Sequence, residues 1–128
     1  LIGLMNTADR SLALLDYALR RRFAFFTLNP GFSSTGFTRY REAVGSAAFD
    51  NLVSCVARLN TEIASDESLG EGFMIGHSYF CGFVGGRVDH ASLSAIIEYE
   101  LIPMLGEYWF DDQEKVRLWS EALRRSIQ

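Results

Sequence analysis

Two short apolar runs, Leu1-Ile2-Gly3-Leu4-Met5 and Phe23-Ala24-Phe25-Phe26-Thr27-Leu28, set the strongest limit on what this chain can fold into. Each reads as a β-strand, and a short helical stretch separates them, which is the alternation of an α/β layer. Beyond them the chain reads as mostly helical. A pair of strands buries too little apolar surface to stand alone as a sheet. The two runs are therefore expected to join further strands upstream of Leu1. A chain that opens inside a strand, with no initiator Met, reads as cut from a longer protein.

Asn29-Pro30-Gly31 ends the strand pattern, and Ser33-Ser34-Thr35-Gly36 continues the loop. The expected division is residues 1–30 as the end of an α/β core and residues 31–128 as an all-α domain, so that the whole is mainly helical. A short amphipathic helix is expected over about Thr38–Val44. Ser46 then caps a longer helix to about Ala64, with Phe49, Leu52, Val53, Val56, Leu59 and Ile63 on one face. Asp89 caps another, whose stripe is Leu93, Ile96, Ile97, Leu101, Met104, Leu105 and Tyr108. Pro103 lies inside that stripe and should kink the helix or begin a new turn. Asp111-x-x-Glu114 reads as a capping box for a last helix carrying Val116, Trp119, Leu123 and Ile127.

Composition removes several classes of function. Hydrophobic residues make up 48% and charged residues 22% of the chain, as in an ordinary globular protein. No apolar run approaches the ~20 residues of a membrane helix, and no leader resembles a signal peptide. Cys55 and Cys81 have no CxxC partner and read as buried free thiols of a reduced compartment. The net charge of −4 is uneven, because residues 1–30 carry four Arg against Asp9 and Asp16 while the rest is acidic. A basic head on an acidic body does not suit a protein that coats nucleic acid. It suits a local anion site, built from guanidinium groups because Lys115 is the sole lysine.

Three groups of residues could carry chemistry. Asn6 ends the first apolar run, where an Asn reads either as a turn former or as an amide that donates to phosphate and accepts from water. Asp9 and Arg10 follow, readable by themselves as a helix N-cap and its solvated neighbour. Arg20-Arg21-Arg22 stand against Phe23, and Asp16 lies one helical turn before Arg20, where it can pair with a guanidinium. Without further context such a run is a solvated helix end. The third group is Gly76-His77-Ser78-Tyr79-Phe80, whose histidine alone reads as structural because no ligand-type residue lies at metal spacing. Gly82-Phe83-Val84-Gly85-Gly86-Arg87 lacks the Gly-Lys-Ser/Thr ending of a P-loop and reads as a turn.

The string Met5-Asn6-Thr7-Ala8-Asp9-Arg10-Ser11, the Arg-Arg-Arg-Phe block and Ile75-Gly76-His77-Ser78-Tyr79-Phe80 resemble the second half of a AAA+ nucleotide-hydrolysing module. Within that superfamily they are similar to the McrB-type motor subunits of modification-dependent restriction systems. The resemblance implies that Asn6 is the sensor 1 residue, that Asp9 belongs to the hydrolysis loop, and that Arg21 and Arg22 are arginine fingers supported by Asp16. It implies His77 and Ser78 as nucleotide contacts at the start of a helical lid. It further implies a cytoplasmic, ring-forming, hexameric parent that uses GTP or ATP with Mg²⁺, GTP being the nearer match. That parent would work with an McrC-like nuclease subunit and meet DNA only through other domains. Two departures stand out: Tyr79 and Phe80 occupy the place of a sensor 2 arginine, and no GxxxxGK[ST] or Asp-Glu strand end occurs. The fragment alone is therefore expected to be inactive. A MoxR-like remodelling ATPase shares the Leu-Arg-Arg-Arg-Phe block, and a non-catalytic helical interaction domain is the reading from another class.

Overall fold

The structure, a computed structural model, describes residues 1–6, 8, 21–83 and 88–128. Its organised part is helical. Helix α1, Thr35–Val44, begins earlier than the expected Thr38 because Ser34 Oγ accepts the N–H of Phe37 at 3.2 Å. That hydroxyl satisfies one of the orphan donors of the first turn, which outweighs the helix-weakening Gly36. Gly45 ends the helix at φ 60°, in the left-handed region, and sends its N–H to Arg41 O.

Helix α2, Ala47–Ser65, starts at the expected cap, with Ser46 Oγ accepting from Phe49 N. All six residues of its expected stripe are buried, and Cys55 and Asn60 are buried with them. Helices α3, His90–Ile96, and α4, Ile102–Tyr108, are joined by a π-helical turn over Ile97–Leu101. Pro103 explains that turn. A proline inside a helix has no N–H and its ring crowds the carbonyl four residues back, and one widened turn just before it relieves both. The N–H of Ile102 accordingly reaches back to Ile97 O. Along this bent rod Leu93, Ile96, Ile97, Leu101 and Leu105 are buried, while Met104 and Tyr108 are partly so.

The last helix, α5, Gln113–Ser126, is capped by Asp112 rather than Asp111, through Asp112 Oδ1 accepting from Lys115 N at 3.0 Å. Two adjacent aspartates make that signal degenerate, and the turn from Asp112 N to Trp109 O selects the second. Leu123 and Ile127 are buried, with Val116 and Trp119 packed beside them. Helix α2 is the central element, packing on α5, on α1 and on a 3₁₀ turn at Glu71–Phe73, while α4 and the π turn close over α5.

The two strands expected in residues 1–30 are not formed. Residues 1–6 and 24–30 are neither strand nor helix, and Leu1, Ile2, Leu4, Phe26 and Leu28 are exposed. The physical reason lies in pairing: a strand needs hydrogen-bonding neighbours, and an apolar run needs layers over its faces. Among the described residues neither is present. The short helix expected between the runs lies outside the described residues, as do Val84–Arg87 of the expected glycine-rich turn. The cysteines divide, since both are free but only Cys55 is buried while Cys81 is exposed. Burial pushes the Cys55 thiol up, against a smaller opposing effect of Arg58.

Two polar clusters tie loops to α2. Asn60 Nδ2 donates to Ile75 O at 2.9 Å, and Ile75 N donates to Asn60 Oδ1 at 2.6 Å, in a buried setting. Asp66, the C-cap of α2, accepts from Ser68 Oγ at 2.6 Å, from Trp109 Nε1 at 2.8 Å, and from Ser68 N at 2.9 Å. Lys115 Nζ bridges Asp66 and Glu62 at 3.3 and 2.8 Å and lies 4.4 Å from the Trp109 ring centre. Hydrogen bonds from Ser68 first, then from Trp109, hold the Asp66 carboxyl well below the usual carboxylate range.

Replacing Asn60 by Ala leaves both backbone groups of Ile75 buried without partners, so a loss of about 2–4 kcal/mol is expected in urea unfolding. Asp66 has a folded pKa below its unfolded value of about 3.9, so its stabilisation is complete above that value. It is lost as the pH falls from there towards the folded pKa. Urea midpoints measured from pH 7 down to pH 2 should therefore fall less steeply in Asp66→Asn, which starts from a lower midpoint at pH 7.

Candidate functional site

The stretch from Gly70 to Phe80 connects α2 to the rest of the chain and carries the residues of interest. Its backbone cannot drift, because three features anchor it. Asn60 holds Ile75 by both backbone groups, and the Ile75 side chain is itself buried at 1% exposure. A second 3₁₀ turn, His77–Phe80, follows, and Phe80 is fully buried at its end. Between the two anchors the turn presents Ser78 and Tyr79 outward.

His77 is half-buried and points back to the beginning of the chain. Its Nδ1 accepts the N–H of Gly31 at 2.9 Å, a contact made through the nitrogen's lone pair. The ring meets Phe37 and Phe32 edge-on, with centroids 5.5 and 6.2 Å apart. These phenylalanines continue into an aromatic group with Tyr40, Phe49, Phe80 and Phe83, and the Tyr40 hydroxyl accepts from Phe83 N at 2.9 Å. Edge-to-face contacts of this kind suit the ring quadrupoles. Gly31 has no room for a side chain: a Cβ there would stand 2.9 Å from His77 Cε1.

This contact brings the start of the chain alongside the turn and forms a cleft of about 520 Å³. Met5, Asn6, Leu28 and Asn29 line one side, and Glu71, Met74, His77 and Ser78 line the other. The volume falls within the range of small-molecule sites, and the lining mixes apolar surface with a few convergent polar groups. Asn6 Oδ1 also accepts the N–H of Ala8 at 3.1 Å, so the residue does form a turn.

Of the candidate residues, the structure places Asn6, His77 and Ser78 around one cleft. Arg21 and Arg22 lie in an exposed turn before Phe23 and do not line it. Asp9 and Asp16, with Arg10 and Arg20, lie outside the described residues. The described residues contain no group of three His, Cys, Asp or Glu side chains able to hold a metal ion. Residues that sequence reasoning missed are Asn60, Glu71 and Gly31. A polar residue inside the otherwise apolar α2 stripe was the one signal that pointed to Asn60.

Geometrically, then, the chain is a small helical domain with a cleft where its leading segment meets a tightly anchored turn. Comparison with known proteins gives this arrangement a family. The family described as McrB, alpha-helical lid domain, matches residues 51–117, just over half of the chain. The chain belongs to that lid-domain family. It is also 43% identical over 128 residues to the Type IV methyl-directed restriction enzyme EcoKMcrB subunit of Escherichia coli (strain K12). That match takes in 96% of this chain and 28% of the relative's length.

No described helix is long and apolar enough to cross a membrane. A direct check of the cleft wall is Gly31→Ala. Because the new methyl must displace the His77 ring, a loss of about 1–3 kcal/mol is expected in thermal unfolding, with shifted ring resonances of Phe32 and Phe37.

Proposed function

We propose that this chain is the lid, with the adjoining sensor and arginine segment, of a McrB-type AAA+ motor that hydrolyses GTP or ATP. The observation that carries the reading is the cleft itself, because it sets Asn6 opposite His77 and Ser78 although these residues are far apart in sequence. An amide and a hydroxyl on facing walls can each hydrogen-bond a phosphate or a water. The relative's description as a subunit of a methyl-directed restriction enzyme supports the same class of parent, and the motif resemblance is what favours GTP over ATP.

The cleft fits part of a nucleotide, not all of it. Its size and its polar groups suit one, but no P-loop occurs in the 128 residues and no described cluster could hold Mg²⁺. A bound nucleoside triphosphate with Mg²⁺ would supply the phosphoryl group that is transferred. This chain's contribution is narrower. Asn6 orients the attacking water, and Asp9 contributes to hydrolysis as part of the same motif. Arg21 and Arg22 stand in the exposed turn, from which long guanidinium side chains can reach a neighbouring copy. Asp16, four positions before Arg20 in sequence, is the residue this reading assigns to support the arginine run.

Because an arginine finger acts across an interface, the parent is a ring, and a hexamer is the form this reading favours. Its power stroke would drive an McrC-like nuclease subunit, with DNA bound by other domains. The exposed apolar runs, Leu1–Met5 and Phe23–Leu28, would there become strands of the core sheet, which explains why both are apolar on both faces.

In the full-length parent, Arg21→Ala should lower turnover by roughly 10³–10⁵-fold while leaving nucleotide binding in place. Mixed into rings with unaltered subunits, it should fail to activate its neighbour. Asn6→Ala should lower turnover without that dependence on the neighbour. GTP and ATP turnover near the unaltered rate in both variants would remove the assignment.

A further inference from the structure

The hydrogen bond between Gly31 and His77 spans 46 positions of sequence and ties the end of the leading segment to the anchored turn. Among the described residues, Gly31 also accepts the N–H of Ser34 in a local turn, so this one residue after Pro30 is bound on both its peptide groups. The core of the helical unit is drawn from Phe37 onwards, so it does not hold residues 1–30 in place. Gly31 directly follows Pro30, whose ring stiffens the chain just before the contact. The imidazole is backed by Phe32 and Phe37, and its turn is pinned by Ile75 and Phe80, so the acceptor atom is well fixed. Gly31 admits no Cβ, so the backbone and the ring are already in contact.

We propose that His77 is a positioning residue, a latch whose Nδ1 holds the Gly31 N–H and thereby sets residues 27–30, which line the cleft beside Asn6, against the turn. On this account His77 acts through Gly31, and Ser78 is left as the residue of the turn that faces a ligand. The purpose of the latch rests on the nucleotide reading of the cleft, but its existence does not. A test without nucleotide therefore separates the two.

Amide exchange and heteronuclear NOEs of the 128-residue chain, read by NMR, provide that test. His77→Phe keeps a ring against Phe32 and Phe37 but removes the acceptor. Gly31 exchange should then accelerate roughly three- to tenfold, and the NOEs of Thr27–Asn29 should fall, while Leu59 and Ile63 keep their protection. His77→Asn, whose Oδ1 can accept in place of Nδ1, should restore much of the Gly31 protection. The latch is overturned if His77→Phe leaves Gly31 unchanged, if the two variants behave alike, or if Leu59 and Ile63 lose protection along with Gly31.

Discussion

A stretch of backbone without regular structure can hold a functional residue in place only if its own peptide groups are satisfied. Between Gly70 and Phe80 that condition falls on Asn60, which pairs with the N–H and the C=O of Ile75 as a neighbouring strand would. A side-chain amide suits the task because it is donor and acceptor in one plane. The bond is buried, where an unpaired peptide group costs much more than at the surface. Because α2 is the central helix of the unit, Asn60 transmits the rigidity of the whole core to one turn. Gly76, His77 and Ser78 stand where they do because Ile75 cannot move.

The buried core of the helical unit is built without the described part of the segment that precedes it. Among the described residues every buried apolar residue comes from Phe37 or later, and the polar hub of Asp66, Trp109 and Lys115 is wholly internal to it. Residues 1–30 can therefore change partners without disturbing the core. On the proposed nucleotide-lid reading such a division would serve movement: a stiff body, a short junction and few bonds across it. Asn29-Pro30-Gly31 is that junction, with a stiff residue followed by one that lets the imidazole approach the main chain.

Sequence patterns reveal those parts of the fold that depend on local periodicity. The stripe of α2 is buried and those of the α3–α4 rod and of α5 are buried or partly buried as their spacing requires, and Ser46 and Asp89 cap as their residue types predict. Pro103 foretells a disturbance, though not that a π turn absorbs it. Three things stay hidden because they depend on distant partners. Nothing in the sequence links Asp66 to Trp109, Asn60 to Ile75, or His77 to Gly31, since each pair meets only after the helices pack. The apolar runs at the start show the opposite limit. Their composition reads as strand, but strand is a property of neighbours as well as of sequence, and these runs are exposed here. At the site, motif resemblance singled out Asn6, His77 and Ser78, and packing brings them to one cleft, a proximity that no spacing rule contains.

Asn6 shows why the structural and the chemical readings of one residue need not compete. Its Oδ1 accepts from Ala8 N, the ordinary turn-forming bond of an Asn at the end of an extended segment. That bond uses one of two lone pairs, and it orients the amide plane relative to the backbone. A carboxamide fixed in this way retains a second acceptor position and two N–H donors in known directions. Orienting a water against a phosphate needs one acceptor and one donor held at a fixed angle, with little freedom left to lose on binding. An Asn that was not already turn-bound would have to give up side-chain entropy at that step. If Asn6 has the sensor role proposed above, the turn bond is the feature that prepares its amide for it, so the structural role would support the chemical one.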